Sequence, residues 1–261
     1  RPLALLAQDI AGNAADIQVL LPSSASPHHY SLRISDMQRI AQADLLVWLG
    51  PDFERFLAEV PGKRNTTSQL ALAVTPGLDW PSDSHAHQDD HENSHGKDQH
   101  LWLNPGNGRT MMRAIAERLI ELRPTRADYF TANLARAEAA LELAAAEVDR
   151  MLAPLSARGF GVNHDGFRHF VDYFGLQQLA AVSVLPDQVT SARHMMQTVQ
   201  QLQDAHCLLI EAGEPQASAE RLHTLFKIPV IKVDPLALNP GIDSYADLIS
   251  DLGNSFVECL R

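Results

Sequence analysis

The chain has 261 residues, of which 45% are hydrophobic and 20% are charged, and its 32 acidic residues outnumber its 21 basic ones to give a formal net charge of −11. This composition is typical of a globular protein with one or two domains, and it argues against a disordered chain. The acidic balance, with no long basic stripe, excludes a nucleic-acid binder, and no apolar run approaches the ~20 residues of a membrane span.

The first part of the chain predicts two strands and a helix. Ile17–Leu21 and Leu45–Leu49 are short apolar runs typical of buried strands. Between them, the segment Ser35-Asp36-Met37-Gln38 has the spacing of a helix capping box and predicts a helix to about Ala43. The apolar run after Arg1 is too short for a secretory signal peptide, so we expect none in this sequence.

A long helix is predicted in the middle of the chain. From Pro124 to about Leu155 the sequence contains no glycine and is rich in Ala, Leu and Glu. A helix of ~30 residues would be roughly 45 Å long, with Pro124 in its first turn. Sustained heptads, which would indicate a coiled coil, are absent. We interpret residues 124–157 as a rigid connection between two α/β lobes, residues 1–123 and 158–261.

The second lobe shows a regular alternation of strand and helix patterns, which predicts a mainly parallel sheet flanked by helices. Thr190 and Ser244 are the expected N-caps of its last long helices. The predicted strands are Phe160–Asn163, Leu179–Leu185, Cys207–Ile210 and Val230–Val233, and the predicted helices are Phe167–Phe174, Thr190–Ala205, Ser218–Phe226 and Ser244–Leu260.

Histidine is unevenly distributed, since five of the twelve lie within sixteen residues. Residues 82–99 combine four histidines with a single lysine and five acids, Asp98 among them, and they show no hydrophobic period. Such a segment cannot bury enough apolar surface to order itself, so we expect a loop. A solvating loop or a purification tag is the alternative, but interleaved acids argue against a tag. We predict auxiliary metal capture by His85, His87, His91 and His95.

Four positions outside this loop share a context that suits metal ligands. His164 and Asp234 end predicted strands, and His28 lies just beyond the first predicted strand. His100 directly precedes a strongly apolar segment. Because ligand sites in α/β folds form beyond the carboxyl ends of strands, a cleft between the lobes could collect all four. The resulting His₃Asp set is His28 (or His29), His100, His164 and Asp234.

Imidazole and carboxylate ligands in this ratio suit Zn²⁺, whereas Mg²⁺ prefers oxygen ligands alone. Two alternatives remain open from the residues. The histidines could be structural, or the metal could serve a zinc hydrolase. We expect no enzyme, because the H-E-x-x-H motif is absent. Glu211 and Glu214 are available as a general base, but the pattern favours their placement on a loop that faces the cleft.

Other conspicuous residues receive structural interpretations. Cys207 and Cys259 form no C-x-x-C pair, so the residues alone are compatible with two buried thiols. Four histidines within or beside predicted helices are expected at the surface, and three tryptophans are expected in the core or the wall of the cleft. These residues are His169, His194, His206 and His223, and Trp48, Trp80 and Trp102.

Several segments resemble one family over nearly the whole chain. The resemblance is to the zinc-binding solute-binding proteins of ABC transporters, the ZnuA-like group of cluster A-I. The segment Ser26 to Asp36 is similar to that family's S-P-H-x-Y-x-L-x-P-S-D, and Ala43 to Pro51 is similar to its A-D-L-V-V-W-V-G-P. Three shorter segments resemble its H-x-W-L-S/N-P, H-D-A-Y/F-x-Y-F and D-P-L; they begin at His100, His164 and Asp234.

The resemblance implies a zinc site in the cleft between two lobes that a long helix joins. It implies the ligands His28, His100 and His164, with water or the matching carboxylate of Asp234 as the fourth. The third imidazole favours zinc, since manganese-type relatives generally have Glu at that position. His29 stands where many relatives have Asp, and it could compete with His28 for the metal. A second difference is at the start of the chain, since the family normally has a strand ahead of the residue that matches Arg1.

The resemblance also implies a location, a partner and a covalent bond. The function it implies is high-affinity zinc capture in the periplasm by a monomer and delivery to an ABC transporter membrane permease. A manganese-binding protein or an adhesin of the same fold is the alternative. Relatives carry a disulfide at the places of Cys207 and Cys259, and such a bond requires an oxidising compartment.

Overall fold

The computed structural model describes residues 1–22, 30–58, 60, 68–81, 98–183 and 191–261. The helices in these ranges are α1 Pro2–Ala11, α2 Ile34–Gln42, α3 Pro105–Leu122, α4 Ala127–Leu152, α5 Arg168–Tyr173, α6 Ala192–Gln201, α7 Gln216–Phe226 and α8 Tyr245–Leu260. The strands are β1 Leu46–Trp48, β2 Gln69–Ala71, β3 Gly159–His164, β4 Gln177–Ser183, β5 Leu208–Glu211 and β6 Val230–Val233. None of these helices is long and apolar enough to cross a membrane.

The strands form two parallel sheets, one in each half of the chain. β1 pairs with β2, and the second half carries a four-stranded sheet in the order β4-β3-β5-β6. This arrangement confirms the predicted α/β class with two lobes. Glu211 at the end of β5 is in register with Val233 at the end of β6, and β3 ends at His164. The carboxyl ends of these strands therefore lie along one edge of the sheet.

The long helix between the sheets is confirmed. α4 has 26 residues, which makes it ~39 Å long. A 3₁₀ turn stands at each end, Pro124–Arg126 and Ala153–Leu155, so the α-helical span is shorter than predicted. α8 packs closely on α4 at Gly253, where a Cβ atom would lie only 2.4 Å from Val148 Cγ2. Glycine thus permits the approach that seats α4 in the core.

One hydrophobic core runs through both halves of the molecule. Its buried residues include Leu6 on α1, Met112 on α3, Val148 on α4 and Phe256 on α8. Phe160 of β3 belongs to the same cluster. The long helix therefore packs into a core that is shared by both lobes. This shared core supports the edge of the four-stranded sheet.

The predicted pairing of the two cysteines is confirmed. Cys207 and Cys259 form a disulfide with a Cα–Cα distance of 5.4 Å and a sequence separation of 52 residues. Both are buried, and the bond ties the residue before β5 to the last turn of α8. A cross-link of this kind typically contributes about 2–4 kcal/mol, because it restricts the unfolded chain.

The prediction of a strand at Ile17–Leu21 is wrong. The segment has no strand pairing, and Val19 is 40% exposed. A short apolar run becomes a strand only where a neighbouring strand offers backbone partners. Within the described part of this lobe, β1 and β2 pair with each other through their backbones. Leu20 instead packs as a partly buried side chain beside Ile40 and Trp48.

The N-caps of α2 and α6 differ from the predicted ones, and two helices were not predicted. α2 begins at Ile34, one residue before the expected cap, because the Asp36 carboxylate accepts a hydrogen bond from the Arg33 backbone N–H. α6 is capped by Ser191, whereas the predicted cap Thr190 lies outside the described residues. The missed helices are α1 and α3; α3 carries an Asn-Pro start in which Asn104 caps the helix.

Candidate metal centre

The fold brings two of the predicted ligands into contact. His164 is the last residue of β3 and is 7% exposed, and His100 immediately precedes a buried 3₁₀ turn. Their ring centroids are 5.4 Å apart with an interplanar angle of 71°. A Cβ atom on Gly166 would lie 3.0 Å from Cε1 of each ring. The absence of a side chain at Gly166 leaves the space in which the two imidazoles meet.

Each of these imidazoles is held by a carboxylate. His100 Nδ1 lies 2.6 Å from Asp98 Oδ1, and His164 Nδ1 lies 2.9 Å from Glu211 Oε1. Ionised carboxylates only accept hydrogen bonds, so both Nδ1 atoms carry the proton and the lone pair is on Nε2. Metal-binding histidines are oriented in this way by carboxylates behind them. The pair is therefore arranged to bind a metal through Nε2 of both rings.

The charges around His100 favour a cation. Burial by itself would raise the pKa of Asp98, but the charge of His100 and its hydrogen bonds outweigh burial and lower that pKa to about 2. Burial likewise lowers the pKa of His100, but Asp98, Glu211 and Asp165 together raise it above its usual value. Asp165 is itself paired with Arg168. The carboxylates thus create a negative potential that a divalent ion would neutralise.

Asp234, the predicted fourth ligand, lies at the same edge of the sheet. It follows β6 directly and is 6% exposed. Its Oδ1 accepts a hydrogen bond from the Leu238 backbone N–H at 2.9 Å, and its Oδ2 accepts one from Asn239 at 2.8 Å. The carboxylate therefore caps a turn in which Ala237 has a left-handed φ of 54°. Each oxygen retains a second lone pair.

The described residues do not assemble the complete predicted site. They contain no cluster of three or more His, Cys, Asp or Glu side chains placed to hold a metal. His28 and His29 lie outside the described residues, as do the loop histidines His85, His87, His91 and His95.

Aromatic residues form the wall behind His100. Its ring packs edge-on against Trp102 and Phe53, at centroid distances of 5.2 and 5.5 Å. Trp102 is 2% exposed and donates from Nε1 to the carbonyl of Pro235 at 2.8 Å, while its own carbonyl accepts from Tyr245 Oη at 2.6 Å. Trp102 therefore joins the His100 segment to the residue that follows Asp234, as expected for a residue of the cleft wall.

One histidine expected at the surface is buried. His169 on α5 is 1% exposed, because α5 turns this side chain towards the segment at residue 98, whose carbonyl it contacts at 2.8 Å. His206 and His223 are exposed as predicted, whereas His194 is half-buried.

The sequence does not reveal the role of two carboxylates, Asp98 and Glu211, in orienting the imidazoles. The sequence groups Asp98 with the acids of residues 82–99, and it offers Glu211 only as a candidate general base on a loop that faces the cleft. In the structure the Asp98 side chain is only 9% exposed and lies beside His100. Position was the available signal, because Asp98 is two residues before a predicted ligand and Glu211 ends a predicted strand.

Comparison with known proteins identifies the family. The family model described as "Zinc-uptake complex component A periplasmic" (ZnuA) matches residues 1–259. The chain belongs to the ZnuA family. The high-affinity zinc uptake system protein ZnuA of Yersinia pestis is 34% identical over 286 residues, a match that covers 100% of this chain and 89% of that protein. The family consists of periplasmic solute-binding components of metal uptake, so it is a transport family and not an enzyme family.

Solved structures share the fold at lower identity. A crystal structure of ZnuA superposes with a TM-score of 0.83 at 22% identity, covering 100% of this chain and 96% of that one. A Mn-bound periplasmic metal-binding protein from Candidatus Liberibacter asiaticus gives a TM-score of 0.82 at 18% identity, covering 100% and 97%. These likenesses establish the two-lobed fold of the ZnuA-family chain.

Proposed function

We propose that this protein is the high-affinity zinc-binding component of an ABC uptake system, which captures Zn²⁺ in the interlobe cleft and delivers it to a membrane permease. The observation that carries the proposal is the pair of imidazoles, His100 and His164, each oriented by a carboxylate on Nδ1. Family membership over residues 1–259 and the 34% identity to a named zinc-uptake protein support it.

The proposed ligands are His28, His100 and His164, with Asp234 or a water as the fourth. Contact between the rings of His100 and His164 supports those two. The place of Asp234 at the carboxyl end of β6, beside the strand that ends at Glu211, supports its inclusion. With Asp234 as the fourth ligand, a closed set of protein ligands would hold the ion as cargo, without the open position that a zinc hydrolase needs.

The proposal extends to location and organisation. A disulfide supports an oxidising compartment and hence the periplasm, and the net charge of −11 argues against nucleic acid as a partner. We propose that the protein acts as a monomer with lobes at residues 1–123 and 158–261, joined by residues 124–157. The two sheets fall within these two ranges. The histidines of residues 82–97 are proposed to collect zinc weakly and pass it to the cleft.

Zinc is expected to bind at least about 100-fold more tightly than manganese, because imidazole nitrogen sites favour Zn²⁺ over Mn²⁺ in the usual affinity order. The test is a competition titration in which each metal displaces a fluorescent chelator from the same protein preparation. Tighter binding of manganese would favour the alternative, a manganese-uptake protein of this fold, and would contradict the proposal.

Zinc affinity is expected to fall as the pH decreases, because only neutral imidazole binds the metal and protons compete for Nε2. The raised pKa of His100 means that this competition begins above the usual histidine value of ~6.5. We expect a loss of at least about tenfold in affinity per pH unit below that point. Chelator competition between about pH 7.5 and pH 5.5 measures it. A constant affinity over this range would show that imidazoles do not hold the ion.

A further inference from the structure

His169 makes two hydrogen bonds through its ring although it lies outside the proposed ligand set. Its Nε2 lies 2.8 Å from the backbone carbonyl of Asp98, and its Nδ1 lies 3.4 Å from Nδ2 of Asn107. A carbonyl can only accept, so Nε2 carries the proton and Nδ1 accepts from the Asn107 amide. The ring is 1% exposed and is flanked by Trp80 at a centroid distance of 6.0 Å.

The orientation of Asn107 is itself fixed by the backbone. Its Oδ1 accepts from the Asp79 backbone N–H at 2.7 Å, and its Nδ2 donates to the Asp79 carbonyl at 2.8 Å. Asn107 is fully buried on α3, so this amide cannot reverse without losing both bonds. The oriented amide presents an N–H to His169, which selects the tautomer that donates to Asp98.

Asp98 is in turn the residue that holds His100. Its Oδ1 accepts from both the backbone N–H and Nδ1 of His100, at 3.0 and 2.6 Å. Its Oδ2 is buried and has no hydrogen-bond partner within the described chain. No other described side chain fixes this carboxylate, so its placement depends on its own backbone, which His169 binds.

We propose that His169 is a positioning residue of the metal site. By binding the Asp98 carbonyl it places the Asp98 carboxylate so that His100 keeps its proton on Nδ1 and its lone pair on Nε2. The proposal rests on the proposed function in one respect, namely that His100 is a zinc ligand. Losing an outer partner of a metal ligand typically weakens binding 10- to 100-fold, and His169 acts one residue further out. We expect about a tenfold loss when its donor is removed.

Three variants separate positioning from general stability. His169→Leu removes the donor, whereas His169→Gln keeps an N–H donor near the position of Nε2. Asn133→Ala is the matched control, because Asn133 is also buried and donates from Nδ2 to a backbone carbonyl, that of Ile10, at 2.8 Å. That bond joins α4 to α1 and involves no residue of the proposed site.

Two measurements apply to each variant: zinc affinity by chelator competition, and the imidazole ¹⁵N shifts of His100 in the metal-free protein. We expect His169→Leu to mix the two His100 tautomers and weaken zinc binding, and His169→Gln to restore both. Asn133→Ala should lower the melting temperature alone. Where His169→Leu does not fold, His169→Met, which also lacks the donor, takes its place.

The proposal is overturned if the donor-free variants keep the wild-type tautomer and affinity, if His169→Gln behaves like His169→Leu, or if Asn133→Ala weakens zinc binding as much. A His100→Ala variant in the same series distinguishes the two proposals. Wild-type affinity in that variant would refute the ligand assignment, whereas the ¹⁵N shifts of metal-free wild type and His169 variants would still test the positioning role.

Discussion

Replacing His100 or His164 by alanine is expected to weaken zinc binding by about 100- to 1,000-fold, or roughly 3–4 kcal/mol. Each substitution removes an imidazole nitrogen from the metal and leaves water in its place. It also leaves a carboxylate, Asp98 or Glu211, without its Nδ1–H donor, and this buried carboxylate loses the hydrogen bond that holds it in place. Competition with a tight chelator measures the change.

Two controls isolate the cleft from other histidines. His206→Ala removes an exposed imidazole of the second lobe and should leave the affinity unchanged. Deletion of residues 82–97, which spares Asp98, should remove weak binding and keep the tight site. Unchanged tight binding in both His100→Ala and His164→Ala would contradict the ligand assignment, and loss of tight binding on deletion would move the site to the loop.

Alanine at Asp98 or Glu211 is expected to weaken zinc binding by about 10- to 100-fold. Without the carboxylate, the imidazole that it orients can rotate and exchange tautomers. In part of the molecules the ring then faces the metal with Nδ1 or points away from it. Asp98→Asn should lose less than Asp98→Ala, because the amide oxygen still accepts from Nδ1 of His100. Chelator competition together with thermal unfolding separates binding from stability.

The matched control for the second carboxylate is Glu214→Ala. Glu214 lies three residues after Glu211 on the same segment, and its backbone N–H bonds the Glu211 carbonyl at 3.0 Å. Removal of its side chain changes the local charge equally but leaves His164 paired. Equal losses in Glu211→Ala and Glu214→Ala would show a general charge effect and would contradict orientation of the imidazole.

The second lobe was predictable from sequence because its strands are apolar runs between clear helix starts. Val230–Val233 forms a strand with the predicted bounds, and the cap of α8 at Ser244 is the predicted one. The first lobe was less predictable. Ile17–Leu21 has the composition of a strand but no partner, and pairing is a property of the whole fold that a short window does not contain.

The ligands His100 and His164 were predictable because each stands next to a rigid apolar element. The carboxylates behind them were not, since an acid in a histidine-rich stretch resembles a solvated residue until the fold buries it. Asp98 and His169 are 71 positions apart, and the contact between them forms only when α5 packs against the segment that precedes His100. Long-range contacts of this kind leave no periodic signal in the chain.

The most direct test of the central claim is a crystal structure of the zinc-loaded protein with anomalous diffraction at the zinc absorption edge. The account predicts one strong anomalous peak about 2.0–2.1 Å from Nε2 of His100 and of His164, with Nδ1 of each ring still bound to Asp98 and Glu211. A strong peak elsewhere with no density between these two imidazoles, or zinc bound through their Nδ1 atoms, would contradict it.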